Sequence, residues 1–259
     1  MGTDISMRMR VGKPGGHPAT SGFTLIELAI VLFIITLLLG GVLTPLGQQI
    51  SERQTGETRR AMESARIALV GYALRQPNQA GPLPCPDVRN SNVRSPAMDA
   101  PNIRANDGLE DRLADGKCAS FTGALPWKTL GLAEGDAWGN RLGYAVAADW
   151  NISGGRTSPA TTLLQICPDR ACTQPMPAAA LVLSHGRNGF GADNVGGNRN
   201  LAPTSDDEEE NNNEDQRFVM HPPRAADRPG GEFDDLLLPL SPDWLRGRLC
   251  DPASLCAGG

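Results

Sequence analysis

Aromatic residues and histidines are scarce in this sequence, and their scarcity limits the core and the chemistry that the chain can support. Aromatics make up 5% of the 259 residues, whereas the chain has 30 glycines and 21 prolines. This composition indicates a loop-rich fold with a modest core. Only His185 and His221 follow residue 22, and the sequence contains no His-x-x-x-His or Cys-x-x-Cys pair. The residues therefore favour neither a zinc site nor an enzyme.

Clusters of basic residues are also missing beyond residue 22, and the formal net charge of the chain is −5. Proteins that bind nucleic acid need grouped Lys and Arg side chains to neutralise phosphates. Nucleic acid is therefore not an expected partner. The first 22 residues have the opposite sign, because Arg8, Arg10 and Lys13 outnumber Asp4.

One long apolar run, residues 23–43 (FTLIELAIVLFIITLLLGGVL), interrupts this polar sequence. As a helix it would span about 31 Å at about 1.5 Å per residue, which matches the hydrocarbon thickness of a bilayer. The basic residues before it predict that residues 1–22 stay in the cytoplasm and that the chain after residue 43 is translocated. A secretory signal peptide cut near Gly40 and Gly41 is the alternative, although its apolar stretch would be shorter, about 7–15 residues.

The cysteines all lie after the apolar run, as expected for disulfides in an oxidising compartment. They are Cys85, Cys118, Cys167, Cys172, Cys250 and Cys256. The sequence leaves their connectivity open, and pairing each cysteine with its neighbour in the sequence is one arrangement. In that arrangement the first pair staples a loop region, the second closes a tight loop and the third pins the end of the chain.

Glu27 is the only charged residue of the apolar run. A carboxylate inside a membrane helix costs about 2.5 kcal/mol or more without a partner, so it marks a functional position. Cleavage between Gly22 and Phe23 would create a partner, because the new α-amino group lies four residues before Glu27 on the same helix face. Between neighbouring subunits, the same pair would set the register of assembly. A simple single-pass anchor with a tolerated glutamate is the alternative.

The string at residues 22–27 (GFTLIE), followed by an apolar run, resembles the cleavage and methylation signal of type IV pilins and type II secretion pseudopilins. The resemblance implies cleavage after Gly22 by prepilin peptidase, N-methylation of Phe23 and a role in assembly for Glu27. It also implies sister subunits and an inner-membrane assembly platform as partners. The head would then lie in the periplasm before the subunit enters a pilus or pseudopilus.

Helical spacing continues beyond the apolar run to about Gln76. The residues that recur at this spacing are Ala61, Ala65, Leu69 and Tyr72. We predict one long helix, with residues 23–43 in the membrane and residues 44–76 in the periplasm. Pro45 removes one backbone donor, so we expect a kink or a local unwinding there.

Residues 77–259 are predicted to form the head. Residues 77–125 are rich in Pro, Gly, Asn and Asp, which predicts turns with little regular structure. Residues 136–146 (DAWGNRLGYAV) predict a turn with positive φ at Gly139 and then a strand, and they are similar to a turn of major pseudopilins.

Two further strands are predicted at residues 161–166 and 179–184, and together they would form an antiparallel sheet on the long helix. Trp138 is expected to fill the interface between helix and sheet. The tail after Phe233 predicts an edge strand and then a short helical turn.

An acidic insertion begins at residues 184–189, runs through residues 206–215 and ends near residues 232–236. Its two edges resemble those of the calcium-binding loop of pseudopilins. The resemblance implies calcium ligands at Ser184, Asn188, Asp234 and Asp235. The insertion is longer than the family loop, and Asn188 stands where the family has Asp, which lowers the charge around the ion. An acidic run without an ion is expected to be solvated.

Together these observations predict a lollipop-shaped α+β fold of the pilin type. A long N-terminal helix, membrane-spanning in its first half, would pack on a small antiparallel sheet with long disulfide-stapled loops. We expect a structural subunit, a minor pilin or pseudopilin, of a type IV pilus or type II secretion pseudopilus. Two alternatives stay open: a minor pilin whose head binds a ligand or surface, and a single-pass anchored periplasmic ligand-binding protein or enzyme that does not polymerise.

Overall fold

The computed structural model describes residues 22, 24–75, 81–89, 103–151 and 162–249, with the side chains of residues 39–46 excluded. The chain divides into two compact units, residues 1–48 and 49–259. One helix of 50 residues, α1 (Leu25–Leu74), contributes to both units. It continues through Pro45, so the proline does not end the helix, and it stops two residues before the predicted Gln76.

The second unit mixes short helices and short strands. Its other α-helices are α2 (Trp127–Leu130), α3 (Asp206–Asn212) and α4 (Pro242–Leu249), with a 3-10 helix at Ala148–Trp150. Its strands are β1 (Thr122–Ala124), β2 (Gly143–Val146), β3 (Leu164–Cys167), β4 (Met176–Ala178), β5 (Ala180–Ser184), β6 (Arg217–Val219) and β7 (Leu236–Leu240). The α+β class and the long N-terminal helix are as predicted.

Four strands form an antiparallel sheet in the order β1-β2-β5-β7. Tyr144 of β2 pairs with Val182 of β5, and Leu181 of β5 pairs with Pro239 of β7. β5 lies between β2 and β7 and is buried along its whole length. β7 is an edge strand, as predicted, and an edge is where a sheet tolerates a proline such as Pro239.

The head part of α1 packs on this sheet through a stripe of buried side chains. They are Met62, Ala65, Leu69 and Ala73, spaced three and four residues apart. They share one apolar core with sheet residues such as Tyr144 and Leu181. The prediction is correct for Ala65 and Leu69, whereas Ala61 and Tyr72 flank the stripe and are half-buried.

The expectation that the strands near residues 161–166 and 179–184 share one sheet is wrong. β3 belongs to a separate three-stranded sheet, β4-β3-β6, in which it runs antiparallel to β4 and parallel to β6. β4 and β6 have three residues each. Strands this short show no alternation in the sequence, so the partners of β3 could not be recognised.

Residues 77–125 hold little regular structure where the structure describes them, as predicted: their one strand is β1, three residues long, which pairs with β2. The acidic run, in contrast, is helical. It forms α3, whose N-terminus is capped by Ser205, since its hydroxyl accepts the N–H of Glu208 at 3.3 Å. The expectation that the acidic run is solvated is therefore wrong for Glu208 and Glu210, which are buried.

The turn at residues 136–140 forms as predicted and contacts α1. Gly139 has φ +79°, and the Asp136 carboxylate accepts the N–H groups of Trp138 and Asn140. The N–H of Ala137 donates to Oγ1 of Thr58 at 3.2 Å. Trp138 is only half-buried and does not fill the core as expected. The buried tryptophans are Trp127 and Trp150.

Two disulfides join the loops of the head. Cys85 is bonded to Cys118, and Cys167 is bonded to Cys172. The first disulfide is in the core, where Cys85 is fully buried. Cys250 and Cys256 lie outside the described residues.

Candidate functional site

The start of α1 carries the residues with predicted roles in processing and assembly. Thr24 caps the helix, because its Oγ1 accepts the N–H of Glu27 at 3.3 Å and its carbonyl accepts the N–H of Leu28 at 3.1 Å. Glu27 therefore lies in the first helical turn, where the helix dipole favours a carboxylate. Gly22 and Glu27 are both exposed. Phe23 lies outside the described residues.

The first part of α1 exposes apolar side chains on every side. All of residues 25–38 are exposed, with Leu25 at 91% and Phe33 at 67%. A continuous apolar surface of this kind marks a region that lipid or another protein covers. Within the described parts of the chain, no helix combines the length and the apolar character of a membrane span.

A second candidate site lies between α3 and the start of β7, where three carboxylates meet. Glu208, Asp234 and Asp235 each place a carboxylate oxygen within 4.8 Å of the other two. Glu208 is 0% exposed and Asp235 is 5% exposed. Carboxylates so close together repel one another unless protons or a cation neutralise them.

Each of these carboxylates is held through one oxygen. Oε1 of Glu208 accepts the side-chain amide of Asn188 at 3.0 Å and the N–H of Asp234 at 3.1 Å. Oδ2 of Asp234 accepts the backbone N–H of Asn188 at 2.9 Å. Oδ2 of Asp235 accepts the side-chain amide of Asn211 at 2.8 Å. The site is thus fixed by donors from the residue 188 turn and from α3.

The second oxygen of each carboxylate is free. Oε2 of Glu208, Oδ1 of Asp234 and Oδ1 of Asp235 are buried and accept no hydrogen bond from the described residues. Nδ1 of His185 lies 3.7 Å from Oδ1 of Asp235. Buried carboxylate oxygens without donors are costly, and oxygen-rich sites of this kind are what Ca²⁺ prefers. The residues therefore fit a divalent cation.

Burial changes the protonation of this cluster. It raises the pKa of Glu208 to about 7, the negative charge of Asp235 adds to the rise, and the hydrogen bond from Asn188 opposes it. Burial also raises the pKa of Asp234 to about 6, with Asp235 again adding to the rise. Both pKa values are raised, as expected for buried carboxyl groups that lie close to other carboxylates.

The four positions implied by the resemblance have different surroundings. The hydroxyl of Ser184 donates to Oδ2 of Asp136 at 2.6 Å and so ties β5 to the turn before β2. Asn188 donates to two carboxylates, and its Oδ1 accepts the N–H of Phe190 at 2.9 Å. Asp234 and Asp235 are the two positions that bring free carboxylate oxygens to the cluster.

Sequence reasoning missed Glu208 and Asn211. Both lie in α3, which was expected to be a solvated run of acids. The available signal was the capping-box pattern, in which Ser205 precedes an acidic residue by three positions and so predicts a helix start. This pattern would have predicted a helix that begins after Ser205 in place of a solvated acidic run.

Comparison with known proteins bears on the N-terminal site. The prokaryotic N-terminal methylation motif matches residues 18–43. No curated protein and no solved structure matches the chain. The matched residues contain the cleavage string at residues 22–27 and the apolar run that follows it. The chain therefore carries the signature of the prepilin-type signal, which type IV pilins and pseudopilins share.

Proposed function

We propose that the protein is a structural subunit, a minor pilin or pseudopilin, of a type IV pilus or type II secretion pseudopilus. Prepilin peptidase would remove residues 1–22 and leave Phe23 as a methylated N-terminus. Residues 23–43 would then anchor the subunit in the inner membrane, with residues 44–76 and the head, residues 77–259, in the periplasm. The role is structural and not enzymatic.

The observation that carries this proposal is the methylation motif at residues 18–43. The exposed apolar surface of residues 25–38 supports it, because such a surface needs lipid in the membrane and neighbouring helices in a filament. A helix that first lies in lipid and later packs against sister helices satisfies both needs. The partners are therefore prepilin peptidase, sister subunits and the assembly platform of the inner membrane.

Glu27 is the assembly residue in this proposal. It is the only charged residue of the apolar run, and an unpaired carboxylate in hydrocarbon costs about 2.5 kcal/mol or more. The α-amino group of Phe23 in a neighbouring subunit would neutralise it. The free energy of that pairing would favour one axial register between subunits.

The test replaces Glu27 with Ala and compares it with Glu52→Ala, a matched change at another exposed glutamate of α1. Both variants should be cleaved and should reach the membrane. Glu27→Ala should lose cross-links to sister subunits and be missing from sheared filaments, whereas Glu52→Ala should assemble. Normal assembly of Glu27→Ala would overturn the role of Glu27, whereas absence of the unchanged chain from filaments and from cross-links would favour a membrane-anchored protein that does not polymerise.

A further inference from the structure

The carboxylate cluster has a different composition from the calcium site that the resemblance implies. Of the four expected positions, Ser184 and Asn188 act as hydrogen-bond donors to carboxylates. Asp234 and Asp235 alone would place two negative charges near an ion. The third carboxylate comes from Glu208, which lies on a helix of the acidic insertion.

Glu208 has the properties of a metal ligand and not of a surface acid. It is 0% exposed, and in the described chain it forms no ion pair with Lys or Arg. One of its oxygens is fixed by Asn188 and by the backbone of Asp234. The other, Oε2, is buried without a hydrogen bond. A fully buried, unpartnered carboxylate oxygen beside two more acids is an unfavourable arrangement that a cation would relieve.

We propose that Glu208 binds a calcium ion together with Asp234 and Asp235, and that it supplies the carboxylate missing at Asn188. Three carboxylates restore the charge that the asparagine removes. Asn188 becomes a positioning residue, because it orients Glu208 through its side chain and Asp234 through its backbone. This assignment is independent of whether the subunit polymerises.

The chemistry of the site favours calcium over magnesium. The three carboxylates place oxygens within 4.8 Å of one another, so one ion can contact all three. Ca²⁺ accepts about six to eight oxygen ligands in a flexible geometry, which suits a site built from protein carboxylates. Mg²⁺ demands a near-ideal octahedron and usually keeps several waters, so it should bind this site more weakly.

The ion would attach the acidic insertion to the sheet. Glu208 and Asn211 both belong to α3, and Asn211 bonds the backbone of Val219 in β6 as well as the carboxylate of Asp235. Asp235 directly precedes the edge strand β7. A cation between Glu208 and Asp235 therefore links α3 to β7, and its removal should loosen α3.

The experiment uses the full chain in detergent after removal of divalent ions by a chelator. Calorimetric titration with CaCl₂ should show one site, and MgCl₂ should bind more weakly. Glu208→Gln keeps the size of the side chain and should weaken calcium binding by about tenfold or more, as expected when a charged ligand is lost. Glu209→Gln, an exposed neighbour in the same helix, should bind as the unchanged chain does.

Hydrogen exchange of the unchanged chain gives a second measurement that does not depend on a variant folding. Calcium should slow the exchange of amides in residues 206–212 as well as in residues 234–236. Unaltered calcium affinity in Glu208→Gln, or protection confined to residues 184–188 and 234–235, would overturn the role of Glu208. No calcium binding by the unchanged chain at millimolar concentration would overturn the site altogether.

Discussion

Asp87, two residues after the disulfide-bonded Cys85, is fully buried, and only one of its oxygens has a partner among the described residues. Oδ2 accepts the N–H of Gly108 at 2.7 Å, while Oδ1 accepts no hydrogen bond from the described residues. Burial raises the pKa of Asp87 to about 7, and nearby Asp111 adds to the rise. Asp87 therefore keeps its proton in the folded head at a pH where the unfolded chain has lost it.

The sign of the pH dependence follows from this difference. Between about pH 4 and pH 7 the folded state binds more protons at Asp87 than the unfolded state does, so the free energy of unfolding falls as the pH rises. In Asp87→Asn, the decrease in the free energy of unfolding over this pH range should be smaller than in the unchanged chain, by on the order of 2 kcal/mol or more. Urea unfolding at several pH values, followed by tryptophan fluorescence, measures the slope.

The control for this prediction is Asp243→Asn, because the side chain of Asp243 is 96% exposed. Its stability should follow pH as the unchanged chain does. Equal slopes for the unchanged chain and Asp87→Asn would show that Asp87 is ionised in the folded head.

Gly186 lies next to the carboxylate cluster with φ +60°, and a Cβ at this position would collide with the side chain and carbonyl of Asp234. Gly139 has a similar φ of +79° but no atom within 4 Å of such a Cβ. Gly139→Ala should therefore cost only about 1 kcal/mol of backbone strain. Gly186→Ala should cost more and should displace Asp234.

Chemical denaturation measures the loss of stability in both alanine variants. The difference between the two losses gives the cost of the collision with Asp234, because both variants share the backbone strain. A similar loss of stability in the two variants would mean that the segment at Asp234 moves freely. In that case Gly186 would not be needed to make room for the carboxylate.

At the scale of elements, the two disulfides close loops of very different length. Cys85 and Cys118 are 33 residues apart, whereas Cys167 and Cys172 are five apart. A longer loop loses more entropy on closure, so removal of the disulfides should cost about 4 and about 2 kcal/mol respectively. Thermal unfolding of the two double cysteine-to-alanine variants tests this order, and a larger loss for the short loop would contradict it.

The sequence predicts best those elements that are long or strongly patterned. α1 is recognisable from its apolar run and helical spacing, and β2, β5 and β7 from apolar residues next to turn residues. β4 and β6 are too short to show a pattern. α3 is acidic, and the arginines that pair with its buried Glu210 lie outside the helix, at Arg170 and at Arg217 in β6. The sequence alone does not show that these residues meet.

The same limit applies to the carboxylate cluster. Asp234 and Asp235 could be named in advance because they sit at a recognisable edge of the insertion. Glu208 could not, because its inward direction depends on how α3 docks near β7. Ser184 also shows the limit, since its hydroxyl bonds Asp136 from a distant segment.

Across the molecule, the two units differ in whether their apolar side chains are exposed or buried. Residues 25–38 expose their apolar side chains, whereas the unit of residues 49–259 buries a core shared by α1 and the sheet. In our proposal the head folds in the periplasm while the exposed helix lies in lipid and then between sister helices. The helix would thus serve first as an anchor and later as the contact between subunits.

Mass spectrometry of the mature chain tests this account most directly, because in our proposal cleavage and methylation come before assembly. We predict an N-terminal peptide that begins with N-methylated Phe23, with no trace of residues 1–22 in the membrane-bound protein. Loss of prepilin peptidase should restore the leader. A mature chain that begins at Met1, or just after Gly40 or Gly41, would contradict the account.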